Sequence, residues 1–219
     1  MSIKVPKLAR VPKIDGDWHK YPWRDMEPEL LGNYMGEMPD HRPRAEVKIA
    51  YDDHALYLIF RVADRYVRAV AENHQDPVCG DSCVEFFFSP GPDVADGYFN
   101  LEVNCGGTML FHFQKVPRQN PIALPASEYD KVEIGHSLPQ LVDPEIETPL
   151  SWTVEYRLPL DILASYCYLT RPAPGVTWRA NFCKCADNSS HPHWLTWSLL
   201  DYPRPNFHLP QFFGLLEFR

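Results

Sequence analysis

Several features are missing from this 219-residue sequence, and each absence excludes something. No run reaches the roughly 18 apolar residues of a membrane-spanning helix. The opening MSIKVPKLARVPKIDGDW is basic but has no apolar segment, so it is not a secretory signal. The chain is therefore expected to be cytoplasmic, or to have lost a leader. Positive charge is scarce: 21 Lys and Arg stand against 29 Asp and Glu, a formal net charge of -8. The densest basic group is the thin set Arg42, Arg44 and Lys48. Nucleic acid and anionic membrane surfaces both require a cationic face, so neither is expected as a partner, whereas an uncharged ligand suits this balance. There is no nucleophile elbow, phosphate loop, dinucleotide fingerprint or HExxH. His74, His112 and His136 stand without a matched acid or nucleophile.

Helical periodicity is also nearly absent. It is confined to Pro159–Leu163, where proline suits a first turn. The sequence instead alternates. Ala45, Val47, Ile49 and Tyr51, then Leu56, Leu58, Phe60 and Val62, share one parity around the turn Asp52-Asp53-His54. Val84, Phe86 and Phe88 share a face, as do Phe99, Leu101 and Val103. Gly106-Gly107 leads into an apolar run over 109–113. Trp152, Val154, Tyr156 and Leu158 alternate again, and further strands are expected near 131–135, 177–186, 193–198 and 212–218. The 22 prolines, about twice the average share of roughly 5%, suit short strands joined by rigid loops. With no internal repeat and no linker, the expectation is one all-β domain over 1–219. It should be an antiparallel β-sandwich with one short helix, and its core should hold Val84, Phe86, Phe88, Phe99, Leu101 and Val103.

Parity also selects candidate ligand groups. If those phenylalanines face inward, Glu85, Asn100 and Glu102 point the other way, together if their strands are neighbours. Two readings follow: a solvated outer sheet face, or carboxylates and an amide converging on hydroxyl groups. Sugar rings carry apolar C–H faces that flat aromatics bury well. Trp194 points outward or packs under a loop, and Phe207 lies in the polar loop 201–208 beside Arg204, so these three are further candidates. Phe207 could equally staple that loop to the core.

Of the six cysteines, most are expected to be reduced, because they sit in or beside apolar strand-like runs. Cys183-x-Cys185 with His191-x-His193 offers zinc-type ligands at no spacing typical of zinc sites, and no metal ligand is assigned. Asp52-Asp53 and the loop Asp93–Asp96 could hold calcium. Glu85 and Glu102 could serve a glycoside-active enzyme as paired carboxylates.

Taken in order, several blocks resemble carbohydrate-binding module family 9. They are Ile14-Asp15-Gly16-Asp17 with Trp18 and Trp23; Val47–Leu58; Gly80-Asp81-Ser82-Cys83-Val84-Glu85-Phe86-Phe87; Trp152–Leu160; and the closing Phe207–Phe218. The resemblance implies a non-catalytic β-sandwich that binds glycan ends or small sugars, often beside calcium. It also implies an aromatic clamp ringed by polar side chains. The first clamp tryptophan corresponds to Val78, which is not aromatic. The second corresponds to Phe207, a binding glutamate to Glu85, and a family arginine to Asn100. Relatives of the same fold bind haem through Met or His, which makes Met109 and His112 the alternative ligands to examine.

Overall fold

A computed structural model describes all 219 residues. The alternating segments form strands that we label β1 (Ser2–Val5), β2 (Arg44–Tyr51), β3 (Ala55–Asp64), β4 (Cys83–Ser89), β5 (Tyr98–Asn104), β6 (Met109–Gln114), β7 (Glu133–His136), β8 (Leu150–Pro159), β9 (Thr177–Cys185) and β10 (Gly214–Phe218). One sheet runs β1-β10-β9-β4-β5-β6 and ends on Ile122–Ala123. The short strand Trp194–Thr196 pairs with β9 and with Asn33–Tyr34. The second sheet runs β7-β8-β3-β2 and ends on Glu29–Leu30. Pairing is antiparallel except between β1 and β10, which run parallel. The expected sandwich is present. The differences are at its margins: β1 adds a parallel edge, and a second short helix, Ala126–Tyr129, joins the expected one at Leu160–Leu163. No helix is long and apolar enough to cross a membrane.

The two sheets face each other across a core that includes Val84, Phe86, Phe88, Phe99, Leu101 and Val103, all essentially inaccessible. Their shared parity is therefore the inward one. Aromatic rings fill much of the centre: Phe86 stacks on Phe182 at 5.1 Å and on Phe88 at 4.3 Å.

The outer face of the second sheet is covered by the N-terminal segment. Trp18 and Trp23 pack there with Ala50, Tyr57 and Ile59. The fully buried Glu155 holds this strap. One of its oxygens accepts from the backbone N–H groups of Asp15 (2.9 Å) and Gly16 (2.8 Å) and from Lys20 Nζ (2.7 Å). The other accepts from Trp23 Nε1 at 2.7 Å. Gly16 has φ +75°, and a Cβ there would lie 3.3 Å from Thr153 Oγ1, so glycine suits this position on two counts.

One ionic contact bridges the sheets inside the sandwich. Lys184, on β9 between two cysteines, points to the core face, where its Nζ lies 3.6 Å from Asp64 Oδ2 at the end of β3. Lys184 Nζ also donates to the carbonyl of Cys185 (2.8 Å) and to His193 Nε2 (2.7 Å). Asp64 accepts from His41 Nε2 at 2.8 Å, from Trp152 Nε1 at 3.3 Å and from the Arg65 amide at 2.7 Å. Burial raises the Asp64 carboxyl, but Lys184 and His41 outweigh it and bring the pKa down to about 2. Burial, with Lys184 adding to it, lowers His193 to about 3, so this imidazole is a neutral acceptor.

Two predictions follow from this packing. Phe86→Ala should lower stability by about 3–5 kcal/mol through the cavity it leaves, measured by chemical denaturation. A pKa lowered from 3.8 to about 2 gives stability that is present above about pH 4 and lost as pH falls toward 2. The stability gap between wild type and Asp64→Asn should therefore shrink by about 2 kcal/mol across that window; a gap independent of pH would contradict this.

Candidate functional site

The second face of the first sheet is not solvated. Cys83 and Phe87 of β4, Tyr98 of β5, and Cys183 and Cys185 of β9 lie there in one apolar cluster with Met35, Val78, Leu200, Phe207, Leu209 and Phe213. Glu85, Asn100 and Glu102 share this face, and all three are buried (2%, 1% and 6% exposed). The reading of a polar, solvated outer face is thereby corrected. These strands are apolar on both faces, and such strands require cover on both. The cover is the loop 199–213, fixed on Phe87: the rings of Phe207 (6.1 Å), His208 (5.1 Å) and Phe213 (6.3 Å) each meet it edge to face.

Between floor and cover a cavity of about 210 Å³ remains. Register places Glu85 directly opposite Glu102, and Cys183 opposite Glu85 on the other side. Glu85, Glu102, Asp187, Arg118, Trp194 and Phe207 line the cavity. Four of the sequence candidates thus meet: Glu85, Glu102, Trp194 and Phe207. Phe207 is 7% exposed; it packs on Phe87 and also lines the cavity.

The other two candidates are placed differently. Asn100 lies beneath the cavity wall and positions its neighbours. Its Nδ2 donates to Glu102 Oε1 at 2.9 Å, and its Oδ1 accepts from Gln114 Nε2 at 2.8 Å. Arg204 is exposed and does not line the cavity, because its loop turns outward before Phe207 turns in. The cation at the cavity is Arg118, in the loop after β6, whose Nε donates to Asn206 Oδ1 at 3.2 Å and whose amide donates to Gln114 Oε1 at 2.8 Å. Nothing in the irregular stretch 115–120 marks Arg118 in the sequence. Asp187 was also unmarked, although it continues the outward parity of Cys183 and Cys185; its Oδ1 accepts from Trp194 Nε1 at 2.7 Å.

The electrostatics are those of a desolvated acidic floor. Burial, with Glu102 nearby, pushes the Glu85 carboxyl well above the usual carboxylate range. Its hydrogen-bond partner is a thiol, Cys185 Sγ at 2.8 Å. Burial raises Glu102 to about 7, and burial also raises Asp187. His208 Nδ1 lies 2.8 Å from the Tyr98 hydroxyl and 3.1 Å from Gln114 Nε2. An amide nitrogen can only donate, so Nδ1 is the acceptor and Nε2 carries the proton. Burial and Arg118 lower this imidazole to about 4, in agreement with that neutral tautomer.

The other ligand sets considered from the sequence do not come together. Val78 is completely buried in the apolar cluster and presents no ring. The zinc-type pattern is dispersed: His193 is bonded to Lys184 on the core side, and His191 stacks on Tyr66 at 3.6 Å. Met109 faces the main core, whereas His112 has the opposite parity on the same strand, so the two cannot ligate one haem. The acidic loops gather no cluster of three carboxylates. Both Asp52 oxygens are used within the turn, by the His54 and Ala55 amides (2.8 Å each) and the Tyr57 hydroxyl (2.7 Å). Asp53 pairs with Lys7, and Asp93 Oδ1 accepts from the Ala95 amide.

Comparison with known proteins agrees with this architecture. The profile of carbohydrate-binding family 9 matches residues 30–218. A candidate carbohydrate-binding protein from Bacteroides uniformis ATCC 8492 is similar in structure, with a TM-score of 0.89, 29% identity, and coverage of 100% of this chain and 99% of that one. A family 9 carbohydrate binding module from Caldicellulosiruptor kristjanssonii superposes with a TM-score of 0.69 in its cellotriose complex (18% identity, 100% of this chain and 94% of that one). In its glucose complex the TM-score is again 0.69, at 17% identity, with 100% and 96% covered. Among curated proteins, none matches.

All six cysteines are unpaired in the structure. Titration of the denatured, unreduced protein should give six thiols per chain; fewer than four would contradict the packing described.

Proposed function

The chain belongs to carbohydrate-binding family 9, and from that premise we propose that it is a non-catalytic domain that binds one sugar unit in the cavity beneath the loop 199–213. All 219 residues serve as one binding domain in this reading. The observation that carries it is the pairing of two aromatic walls, Trp194 and Phe207, with a buried polar floor in one small cavity. Aromatic faces suit the C–H surfaces of a pyranose, and Glu85, Glu102, Asp187 and Arg118 offer acceptors and donors for its hydroxyls. At about 210 Å³ the cavity is smaller than the roughly 300–1,000 Å³ typical of drug-sized ligands. That size favours a glycan end or a small free sugar over the interior of a polysaccharide. The sugars in the complexes of the Caldicellulosiruptor kristjanssonii module, cellotriose and glucose, fit the same expectation.

Binding without cleavage is the reading the carboxylates support. Glu85 and Glu102 are cross-strand neighbours and reach the cavity from one floor. A glycosidase needs its two carboxyl groups on either side of the scissile bond. Asn100 acts as a positioning residue, holding Glu102 rather than touching the sugar.

Titration calorimetry with a panel of glucose, cello-oligosaccharides and other small sugars tests this. Wild type should bind at least one of them. By analogy with stacking on nucleobases, Phe207→Ala and Trp194→Ala should each cost about 1–3 kcal/mol. Glu85→Gln should weaken binding, and no variant should alter glycoside turnover, which should be absent in wild type. A sugar bound with the same affinity by Phe207→Ala and Trp194→Ala would move the site elsewhere. Turnover lost in Glu102→Gln would replace binding by catalysis, and no binding across the panel would overturn the reading.

A further inference from the structure

Cys83, Glu85 and Cys185 form a second constellation, of which Glu85 and Cys185 line the same cavity. Register sets Cys185 directly across from Cys83, and Glu85 follows two residues after Cys83 on the same face. The pleat alone therefore brings the three side chains together, with no loop needed to hold them. Their ligand atoms all lie within 4.8 Å of one another, and no other group of three His, Cys, Asp or Glu side chains in the molecule meets that condition. Two ligands bound tetrahedrally at about 2.0–2.3 Å stand roughly 3.5–3.8 Å apart. Small side-chain rotations would close the difference.

We propose that Cys83, Glu85 and Cys185 bind a thiophilic divalent cation of the zinc and cadmium class, with the fourth coordination position open to the cavity. Glu85 is 2% exposed, has no salt-bridge partner, and its hydrogen bond is to the Cys185 thiol. A buried carboxylate requires either a proton or a cation. Lys184, between the two β9 cysteines, cannot supply that charge, because strand alternation sends it to Asp64 on the opposite face. Two thiolates and one carboxylate suit a soft, four-coordinate ion, whereas calcium takes six to eight oxygens. Cys185 and Glu85 line the cavity, so the ion has a path from solvent, and the open position can take water or a ligand hydroxyl.

Binding displaces the two thiol protons and any proton on Glu85, and leaves one net negative charge on the centre. Arg118 lines the same cavity and offsets it. The inference does not rest on the sugar reading, since the ion needs no sugar to bind.

The test uses the whole reduced protein after chelator treatment, titrated with Cd²⁺ and followed by ultraviolet sulfur-to-cadmium charge transfer and native mass spectrometry. One Cd²⁺ per chain is expected, displaced by Zn²⁺ and not by Ca²⁺. Cys83→Ser and Cys185→Ser should each abolish stoichiometric binding, and Glu85→Gln should weaken it at least about tenfold while leaving the thiolate band. Cys167→Ser, remote from the cavity, should bind as wild type does. Zn²⁺ should also raise the melting temperature of wild type, a readout independent of whether the variants fold. No charge-transfer band in wild type would overturn the proposal, as would a band unchanged in both Cys83→Ser and Cys185→Ser, or a melting temperature indifferent to Zn²⁺. Sugar calorimetry in the presence of chelator reports separately: sugar binding there with no Cd²⁺ band leaves the sugar reading standing and removes only this one.

Discussion

The constraint on which the rest depends is that the central strands of the first sheet are apolar on both faces. Phe86, Phe88, Phe99 and Leu101 fill the sandwich on one side, and Cys83, Phe87, Tyr98, Cys183 and Cys185 require cover on the other. A sheet of this kind cannot leave one face to water. The loop 199–213 supplies the cover by seating Phe207, Leu209 and Phe213 on Phe87 and its neighbours. Because that cover is a loop and not a third sheet, it leaves a cavity. Glu85 and Glu102 on this face line that cavity, and Asn100 beside them holds Glu102.

Burial then determines the chemistry of the floor. Glu85, Glu102 and Asp187 lose water without gaining a cationic partner within salt-bridge distance, and their carboxyl groups shift upward. On the opposite face, Asp64 is also buried but gains Lys184 and His41, and it shifts downward. One strand organises both outcomes. Along β9, Cys183 and Cys185 lie on the covered outer face, where Cys185 lines the cavity, while Lys184 between them faces the core, so alternation delivers the cation to one side and withholds it from the other. The polar chain Glu102–Asn100–Gln114–His208 ties the floor to the covering loop through hydrogen bonds of 2.8–3.1 Å. A shift of that loop would therefore also disturb the carboxylates beneath it.

The residues that carry the resemblance are placed for local reasons. Glu85 lies on the cavity side because of its parity on β4. Val78 packs within the apolar cluster. Asn100 does not line the cavity and instead holds Glu102 and Gln114. Trp194 approaches from the short strand beside β9 and joins Phe207 as a cavity wall.

Much of the fold was determined by the sequence alone, because side-chain alternation has period two and names the two faces of each strand without coordinates. The inward parity of Val84, Phe86, Phe88, Phe99, Leu101 and Val103, and the gathering of Glu85 and Glu102 on the other face, follow from that rule. The same rule separates Met109 from His112. What parity cannot state is what lies above a face, since that depends on contacts far apart in sequence. Only the tertiary structure decided that Glu85 and Glu102 are buried, that Phe207 turns inward while Arg204 turns out, and that Arg118, from an irregular loop, supplies the cation. It also decided that Cys185 meets Cys83 and Glu85 instead of His193. Pairing register across the sheet sets that neighbour, and the pairing of β9 with β4 joins segments about a hundred residues apart, a choice made by packing energy rather than by any local signal.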